Sequence, residues 1–438
     1  MGSMALCNRF CTLKSEVLRC TAPLKPVPTQ RLATNGIQRG SRSFSAATLA
    51  QKGDKNAAYP PQLAVPPNDQ LRMLRALEAR PAGFGLPSAF YHDYAFYRAD
   101  VLNLWQTQWI FAGHDCELKT EKDAITMQIA EHPVSIVRGD NGNLTAFCTR
   151  TEGLKPVAVE SAGGYIFVSL AEQPEPFTPV GSLLESYLAP FDLRTAKVAH
   201  QSRIVEKGNW KMVMENNREC YHCRSNHTEL VKSFPEGAWV TGLAGTEEEK
   251  AQVTRLIERC EAIGLPSDYV ISWGNQYRIM RIPLHNDARS FTPDTEPAVV
   301  TKRLGTMPRD ASVGDVLFYH YPNTWNHFLA DHALSFRMLP ISPTETELVT
   351  KWLVPESAVE GEDYCLENLT KVWNDTNAED AWLVERNQLG VSSPAYVPGP
   401  YNTLHEDGVS QFVDWYCNAT KKSLMMGCSS TCEPELPL

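Results

Sequence analysis

The spacing of apolar residues changes along the first part of the chain and predicts helices followed by strands. Apolar side chains recur at helical spacing over residues 70–79 and 94–109. From residue 124 onward the period becomes two, which is typical of strands with one buried face. Strands are predicted over residues 124–129, 133–138, 143–147 and 165–170. The tight turn Gly139-Asp-Asn-Gly142 joins the second strand to the third. Together these segments predict a small antiparallel β domain.

After a proline-rich linker at residues 173–179, the pattern predicts a second and larger unit. A helix is predicted from about Trp210 to Cys223, and a longer one from about Asp363 to Gln388. Strands are predicted over residues 277–283, 316–321, 333–339 and 347–354. Strands packed against a long C-terminal helix form an α+β unit that can enclose a cavity. The predicted fold class is therefore α+β.

Charge divides the chain into two parts. The net charge is −10, but residues 1–58 carry nine basic and two acidic side chains, so their balance is +7 and that of the remainder is −17. An acidic body argues against a nucleic-acid partner, because phosphate binding needs a basic surface. No stretch approaches the roughly 20 continuous apolar residues that span a membrane. The twelve cysteines are scattered without a small-domain framework, which favours reduced thiols.

The basic leader predicts targeting to an organelle. It is rich in Ser, Thr, Arg and Ala and lacks a continuous apolar segment, which favours a transit peptide over a secretory signal. We expect the mitochondrion rather than the plastid, and the cytoplasm if the leader is only a disordered tail. The predicted organisation is a leader over residues 1–67, a β domain with N-terminal helices over 68–178, and a larger domain over 179–438.

The densest group of chemically active side chains predicts a metal site. Glu219, His222 and His227 lie close together, and Glu219 and His222 would share one face of a helix. His222 and His227 are five residues apart, so the helix must bulge or end between them if both bind one ion. Asp380 lies on the apolar stripe of the long helix, where a carboxylate needs a partner or a metal. Two imidazoles and one carboxylate form the facial triad of non-haem Fe(II) enzymes, and zinc with a bound water is the alternative. A core histidine and a salt-bridged aspartate are the structural alternatives.

Several motifs resemble one enzyme family. They include Gly208-Asn-Trp-Lys, the segment from Glu215 to His227, and Tyr321-Pro-Asn-Thr-Trp-Asn-His. Between about Tyr91 and Tyr416 the chain resembles the α subunits of Rieske-type non-haem iron oxygenases, in the branch that oxidises quaternary ammonium compounds. The resemblance implies a small antiparallel β Rieske domain, of which a remnant is left here, and a helix-grip (START-like) catalytic domain, assembled as a homotrimer.

The resemblance also implies residue roles and a reaction. His222, His227 and Asp380 would hold Fe(II), and Glu219 would bridge electron flow from a neighbouring subunit's [2Fe-2S] cluster. With O2 and electrons from an NAD(P)H-dependent reductase or a ferredoxin, the family hydroxylates an N-methyl group that leaves as formaldehyde. Glycine betaine, giving dimethylglycine, is the expected substrate, and choline or carnitine is the alternative.

One departure from the family affects the electron path. A Rieske cluster needs two Cys and two His ligands, which the family supplies as Cys-x-His and Cys-x-x-His. No Cys-x-x-His occurs in this chain, and its Cys-x-His is Cys220-Tyr-His222, within the mononuclear site. The resemblance stops at Ala146-Phe147 and resumes near Gly153, so several tens of residues are missing. A skipped exon or faulty gene model is one explanation, which the retained Glu219 favours. A cluster-free inactive isoform or ligand-binding pseudoenzyme is the other.

Aromatic residues in the motif segments are candidates for holding a trimethylammonium group through cation–π contacts. The candidates are Tyr221, Trp273, Tyr277, Tyr319, Trp325 and Phe328. Each could instead be an ordinary core aromatic. A substrate carboxylate would also need a donor, for which the candidates are Arg278, Arg281, Asn323, Asn326 and His327.

Overall fold

The computed structural model describes seven segments of the chain. They are residues 65–150, 153–235, 246–272, 274–285, 288–291, 298–308 and 312–429. All but the end of the predicted leader lies outside them, so the transit peptide stays a prediction, as does the domain boundary at residue 178. Among the described helices, none is both long enough and apolar enough to cross a membrane.

The first sheet contains six antiparallel strands and confirms the predicted small β unit. The strands are β1 (Ile110–His114), β2 (Ala124–Ile129), β3 (His132–Arg138), β4 (Leu144–Arg150), β5 (Gly153–Ala162) and β6 (Tyr165–Ser169). Their order is β1-β6-β5-β4-β3-β2. Three helices precede them, α1 (Pro67–Ala79), α2 (Ala89–His92) and α3 (Tyr94–Asp100), and a π-helical turn at Val101–Trp105 continues α3.

The hairpin of β4 and β5 occupies the place where the family's cluster-binding segment is expected. The two strands pair as far as Arg150 opposite Gly153, so only residues 151 and 152 connect them. The described backbone on both sides is therefore a continuous antiparallel ladder.

The second sheet contains seven antiparallel strands in the order β7-β13-β12-β11-β10-β9-β8. The strands are β7 (Ala196–Glu206), β8 (Val270–Ile271), β9 (Tyr277–Ile282), β10 (Asp315–His320), β11 (Thr324–Phe328), β12 (Ala333–Ser342) and β13 (Glu345–Pro355). The helices that follow β6 are α4 (Thr178–Leu188), α5 (Trp210–Asn217), α6 (Cys223–Asn226), α7 (Glu247–Glu261), α8 (Leu366–Val391) and α9 (Asp407–Ser429).

Helix α8 packs on this sheet, which confirms the α+β class and the helix-grip arrangement. The Asn377 amide donates a hydrogen bond to Thr350 Oγ1 of β13 at 3.0 Å. The Trp373 ring lies 4.8 Å from the Phe336 ring of β12.

The helix predicted from Trp210 to Cys223 is shorter than expected. It ends at Asn217, and α6 begins only at Cys223, so Glu219 and His222 do not share a helix face as predicted. Asn216 and Asn217 are weak helix formers. The Glu219 carboxylate accepts hydrogen bonds from the backbone N–H groups of Tyr221 and His222, which replaces helical bonds with a local turn.

The prediction of reduced thiols is wrong for one pair of cysteines. Cys220 and Cys223 form a disulfide that closes a loop around His222. Their spacing of three residues brings the two side chains together at the start of α6. The prediction considered the scattered distribution of all twelve cysteines and not this local pair. Five other described cysteines are free: Cys116, Cys148, Cys260, Cys365 and Cys417.

A buried ion pair holds α5 against the first helices. Lys211 and Asp100 are both fully buried and form a hydrogen-bonded ion pair. Asp100 also accepts hydrogen bonds from Trp210 Nε1 at 3.1 Å and from the Tyr416 hydroxyl at 2.7 Å. The carboxylate thus joins α5 and α9 to α3.

Asp100→Asn is expected to lower the free energy of unfolding by about 3–5 kcal/mol, because Lys211 becomes a buried cation without a counter-charge. Urea unfolding at pH 7 measures this loss. In the double variant Asp100→Asn, Lys211→Met, which removes both charges, we expect most of the stability to return. Equal loss in the single and double variants would contradict the ion-pair explanation.

Candidate metal centre

Three predicted ligands converge on one point. His222 precedes α6, His227 follows it, and Asp380 lies within α8. The Nε2 atoms of His222 and His227 are 3.0 Å apart. Asp380 Oδ1 lies 3.3 Å from His222 Nε2 and 3.0 Å from His227 Nε2. Helix α6 is a single turn between the two histidines, and both imidazoles approach the same carboxylate.

These separations suit a metal ion. Ligands at about 2.1 Å from an ion are separated by about 3.0 Å when they meet at right angles, and by about 3.4 Å at tetrahedral angles. Two of the three observed separations match the right-angle value, as expected for one face of an octahedron. A facial triad of two His and one carboxylate leaves three positions open and is typical of Fe(II) oxygenases.

A carboxylate orients each imidazole. His222 Nδ1 lies 2.5 Å from Glu219 Oε1, and His227 Nδ1 lies 2.8 Å from Glu379 Oε2. With Nδ1–H donated to a carboxylate, each ring directs the Nε2 lone pair at the metal position. The sequence pattern did not point to Glu379, although its position beside Asp380 on a helix of known phase could have drawn attention to it.

Charge around the centre favours a bound cation. Burial opposes the ionised form of Asp380, but hydrogen bonds from His222 and His227 lower its pKa to about 2. Burial likewise opposes the imidazolium of His222, yet hydrogen bonds to Asp380 and Glu219 raise its pKa to about 9. The pKa of His227 is also raised, by Asp380 and Glu379 against burial. In the metal-free protein, protons therefore occupy the position that a metal would take.

A second buried acid lies near this centre. Glu206, at the end of β7, is 1% exposed, and its Oε2 has no hydrogen-bond partner in the part of the chain that the structure describes. Burial, together with the charge of Asp380, raises the pKa of Glu206 to about 8. An acid whose pKa is raised on folding stabilises the fold fully below its unfolded pKa, and this contribution is lost as the pH rises through its folded pKa.

At pH 9 the free energy of unfolding of Glu206→Gln is therefore expected to exceed that of the wild type by about 5 kcal/mol, and at pH 4.5 the two free energies should be nearly equal. The amide keeps the shape of the side chain but cannot ionise. Urea unfolding of both proteins at the two pH values measures the difference. A difference of the same size at both pH values would contradict burial of a neutral acid.

The cavity beside the ligands has a wall of aromatic residues. It is lined by Tyr319, Phe234, Trp373 and His327 together with the three ligands and Glu219. Its volume of about 40 Å³ holds only a few water molecules. A trimethylammonium group would require the wall to move outward.

Of the six aromatic residues predicted to hold the trimethylammonium group, Tyr319 alone is seen to line this cavity. Its ring already has the Arg218 guanidinium at 3.9 Å and the Arg278 guanidinium at 4.8 Å. Trp325 is buried and stacks on Phe336. Trp273 lies outside the described residues.

The other three candidates lie away from the cavity. Tyr221 is 67% exposed and stacks on His405. Phe328 and Tyr277 lie on the opposite face of the sheet, because side chains alternate between faces along a strand. Phe328 packs against Tyr165, and Tyr277 stacks on His320. Phe234 and Trp373, which the sequence did not single out for this role, line the cavity instead.

Comparison with known proteins decides the family. Residues 193–422 match the family described as the ring hydroxylating alpha subunit (catalytic domain). The chain is 36% identical over 388 residues to the glycine betaine monooxygenase oxygenase subunit of Pseudomonas aeruginosa strain UCBPP-PA14, covering 78% of this chain and 90% of the relative. The chain belongs to the α subunits of Rieske-type non-haem iron oxygenases.

Other relatives and solved structures support the same family assignment. The corresponding subunit of Chromohalobacter salexigens is also 36% identical, covering 78% of this chain and 86% of the relative. Among solved structures, the quaternary ammonium Rieske monooxygenase CntA with L-carnitine has a TM-score of 0.55 at 14% identity, covering 79% of this chain and 98% of that chain. Naphthalene 1,2-dioxygenase from Rhodococcus sp. has a TM-score of 0.54 at 13% identity, covering 81% and 98%. These structures share the fold of this oxygenase.

The residues of this oxygenase do not fit a [2Fe-2S] cluster. The alignment to the Pseudomonas relative covers 388 residues, but 78% of this chain is about 342, so about 46 aligned positions have no counterpart here. This number agrees with the several tens of residues expected to be missing. Cys220 of the remaining Cys-x-His is bonded to Cys223, and His222 belongs to the triad.

Proposed function

We propose that this oxygenase hydroxylates an N-methyl group of a quaternary ammonium compound, with glycine betaine as the substrate. The observation that carries the proposal is the convergence of His222, His227 and Asp380 within 3.3 Å of one another beside an aromatic cavity. The high identity to glycine betaine monooxygenase subunits supports the substrate. Choline and carnitine are the alternatives.

The reaction needs electrons as well as oxygen. One N-methyl group, O2, two electrons and two protons give an N-hydroxymethyl group and water. The N-hydroxymethyl compound then loses formaldehyde and a proton, which leaves dimethylglycine when glycine betaine is the substrate. Fe(II), held by His222, His227 and Asp380, would supply the activation of O2.

The residues of this chain prepare the site for that ion. Glu219 and Glu379 fix the two imidazoles, and Asn216 donates a hydrogen bond to Asp380 Oδ1 at 2.7 Å. These contacts hold the ligand atoms in place before an ion enters. The aromatic wall gives a quaternary ammonium group π faces and excludes water from the reacting methyl group.

We further propose the partners that the family uses. These are a reductase or a ferredoxin as electron donor, and two further copies of the chain in a homotrimer. The leader would direct the protein to an organelle. Because this chain lacks cluster ligands, its electrons would have to arrive from a cluster that it does not hold itself. That lack also favours the second candidate function, an inactive ligand-binding isoform.

A reaction with hydrogen peroxide distinguishes an active oxygenase from an inactive ligand-binding isoform. Hydrogen peroxide is equivalent to O2 plus two electrons and two protons, so it replaces both O2 and the electron donor. The Fe(II)-loaded protein with hydrogen peroxide and glycine betaine is expected to release formaldehyde and dimethylglycine, and to release less formaldehyde from choline or carnitine. Mass spectrometry and a formaldehyde assay measure the products. Absence of product from all three compounds, with iron bound, would support the inactive isoform.

A further inference from the structure

One polar side chain on the cavity wall has no role in the metal centre. His327 lies in β11, is 2% exposed, and lines the cavity beside Tyr319, Phe234 and Trp373. Its ring is 4.7 Å from the Trp373 ring and 5.7 Å from the Phe234 ring. An imidazole in such an apolar surrounding needs hydrogen bonds to offset the loss of water.

A buried carboxylate fixes this imidazole. His327 Nδ1 lies 2.6 Å from Asp315 Oδ2. The other oxygen of Asp315 accepts the backbone N–H of Phe328 at 3.0 Å, and Asp315 is itself fully buried. The carboxylate therefore sets the ring orientation and holds a proton on Nδ1. Nε2 has no hydrogen-bond partner among the described residues, so this nitrogen is available to the cavity.

The other predicted carboxylate donors are occupied in the fold or lie away from the cavity. Arg281 donates to the backbone oxygens of Pro266 and Val313. Asn323 donates to the backbone oxygen of Phe111, and Asn326 donates to the backbone oxygen of Phe318. Arg278 packs on Tyr319 and donates to Gln411 at 3.3 Å. Only His327 among the five lines the cavity.

We propose that His327, positioned by Asp315, binds the carboxylate of the substrate and thereby selects carboxylate-bearing quaternary ammonium compounds over choline. This inference rests on the proposed function. In the complex, Asp315 fixes the ring through Nδ1, and Nε2 forms the hydrogen bond to the substrate carboxylate. The trimethylammonium end is then directed toward the aromatic wall and the metal ligands.

Calorimetric titration of the full chain loaded with Zn(II), which is not oxidised, tests the inference without turnover. His327→Phe is expected to weaken glycine betaine binding by about 10- to 100-fold, the effect of losing a hydrogen bond to a charged group. Choline binding should change by less than about threefold, because choline has no carboxylate. His327→Gln retains a donor and should recover part of the affinity for glycine betaine. Asp315→Asn should give an intermediate loss.

A neighbouring variant provides the matched comparison. Asn217 also lines the cavity, and its Oδ1 has no partner among the described residues. Asn217→Ala should leave the ratio of glycine betaine to choline affinity unchanged. Equal losses for both compounds in His327→Phe and in His327→Gln, or a change of this ratio in Asn217→Ala instead, would overturn the inference. If the wild type binds neither compound, the proposed function fails together with it.

Discussion

Asp380→Ala is expected to abolish stoichiometric metal binding, with the Fe(II) affinity reduced by more than about 100-fold. Asp380 is the one anionic ligand, and its Oδ1 lies within 3.3 Å of both imidazole Nε2 atoms. Without Asp380, the bound cation would contact two neutral imidazoles and no negatively charged ligand. Loss of an orienting residue alone typically costs 10- to 100-fold in metal affinity, so loss of a ligand should cost more. Iron content after anaerobic loading and gel filtration measures the effect.

Matched variants on the same helix make this result specific. Asp375 is a partly exposed residue of α8 that pairs with Lys371, so Asp375→Ala should bind iron like the wild type. Glu379→Gln removes only the charge that orients His227 and should weaken iron binding about 10- to 100-fold. Iron retained by Asp380→Ala at the wild-type level would show that the triad is not the metal site.

Insertion of a cluster-binding segment is expected to restore the electron path. The β4–β5 hairpin ends at Arg150 opposite Gly153, so a segment inserted at residues 151–152 would extend an existing hairpin and leave both strands paired. With the segment of the Pseudomonas aeruginosa relative, the chain should acquire two acid-labile sulfides and begin reductase-driven release of formaldehyde from glycine betaine. The native chain should show neither.

The control for this insertion separates the cluster from the added length. A glycine-serine segment of the same length should give no labile sulfide and no reductase-driven turnover. If the native chain turned over glycine betaine with a reductase as fast as the inserted form, the missing ligands would be irrelevant to the electron path.

Regular periodicity explains which elements the sequence could predict. Strands β2 and β3 bury alternate residues, and the long helix α8 buries residues at helical spacing from Leu369 to Val391, so these elements could be predicted from their periodicity. β5 was missed because its polar and apolar residues do not alternate over its length. α9 was not predicted, although Val409, Phe412, Val413 and Tyr416 are buried at helical spacing.

The metal ligands could be predicted because their residue types determine the chemistry. The cavity wall could not, because its composition depends on which face of the sheet each strand residue occupies. Two imidazoles and a carboxylate suggested one ion before their separations were known. The aromatic candidates for binding the trimethylammonium group were chosen because they lie in motif segments. Those motifs show neither which face of its strand a residue occupies nor that the helix breaks at residues 218–222. Phe328 and Tyr277 therefore lie across the sheet from the cavity, whereas Phe234 lines it from a segment without a periodic pattern.

The iron and acid-labile sulfide content of the purified chain tests the central claim most directly, namely that this oxygenase holds a mononuclear iron centre and no Rieske cluster of its own. We expect about one iron ion per chain after loading with Fe(II), no acid-labile sulfide, and loss of that iron in Asp380→Ala. Two sulfides per chain, or iron that persists in Asp380→Ala, would contradict the claim.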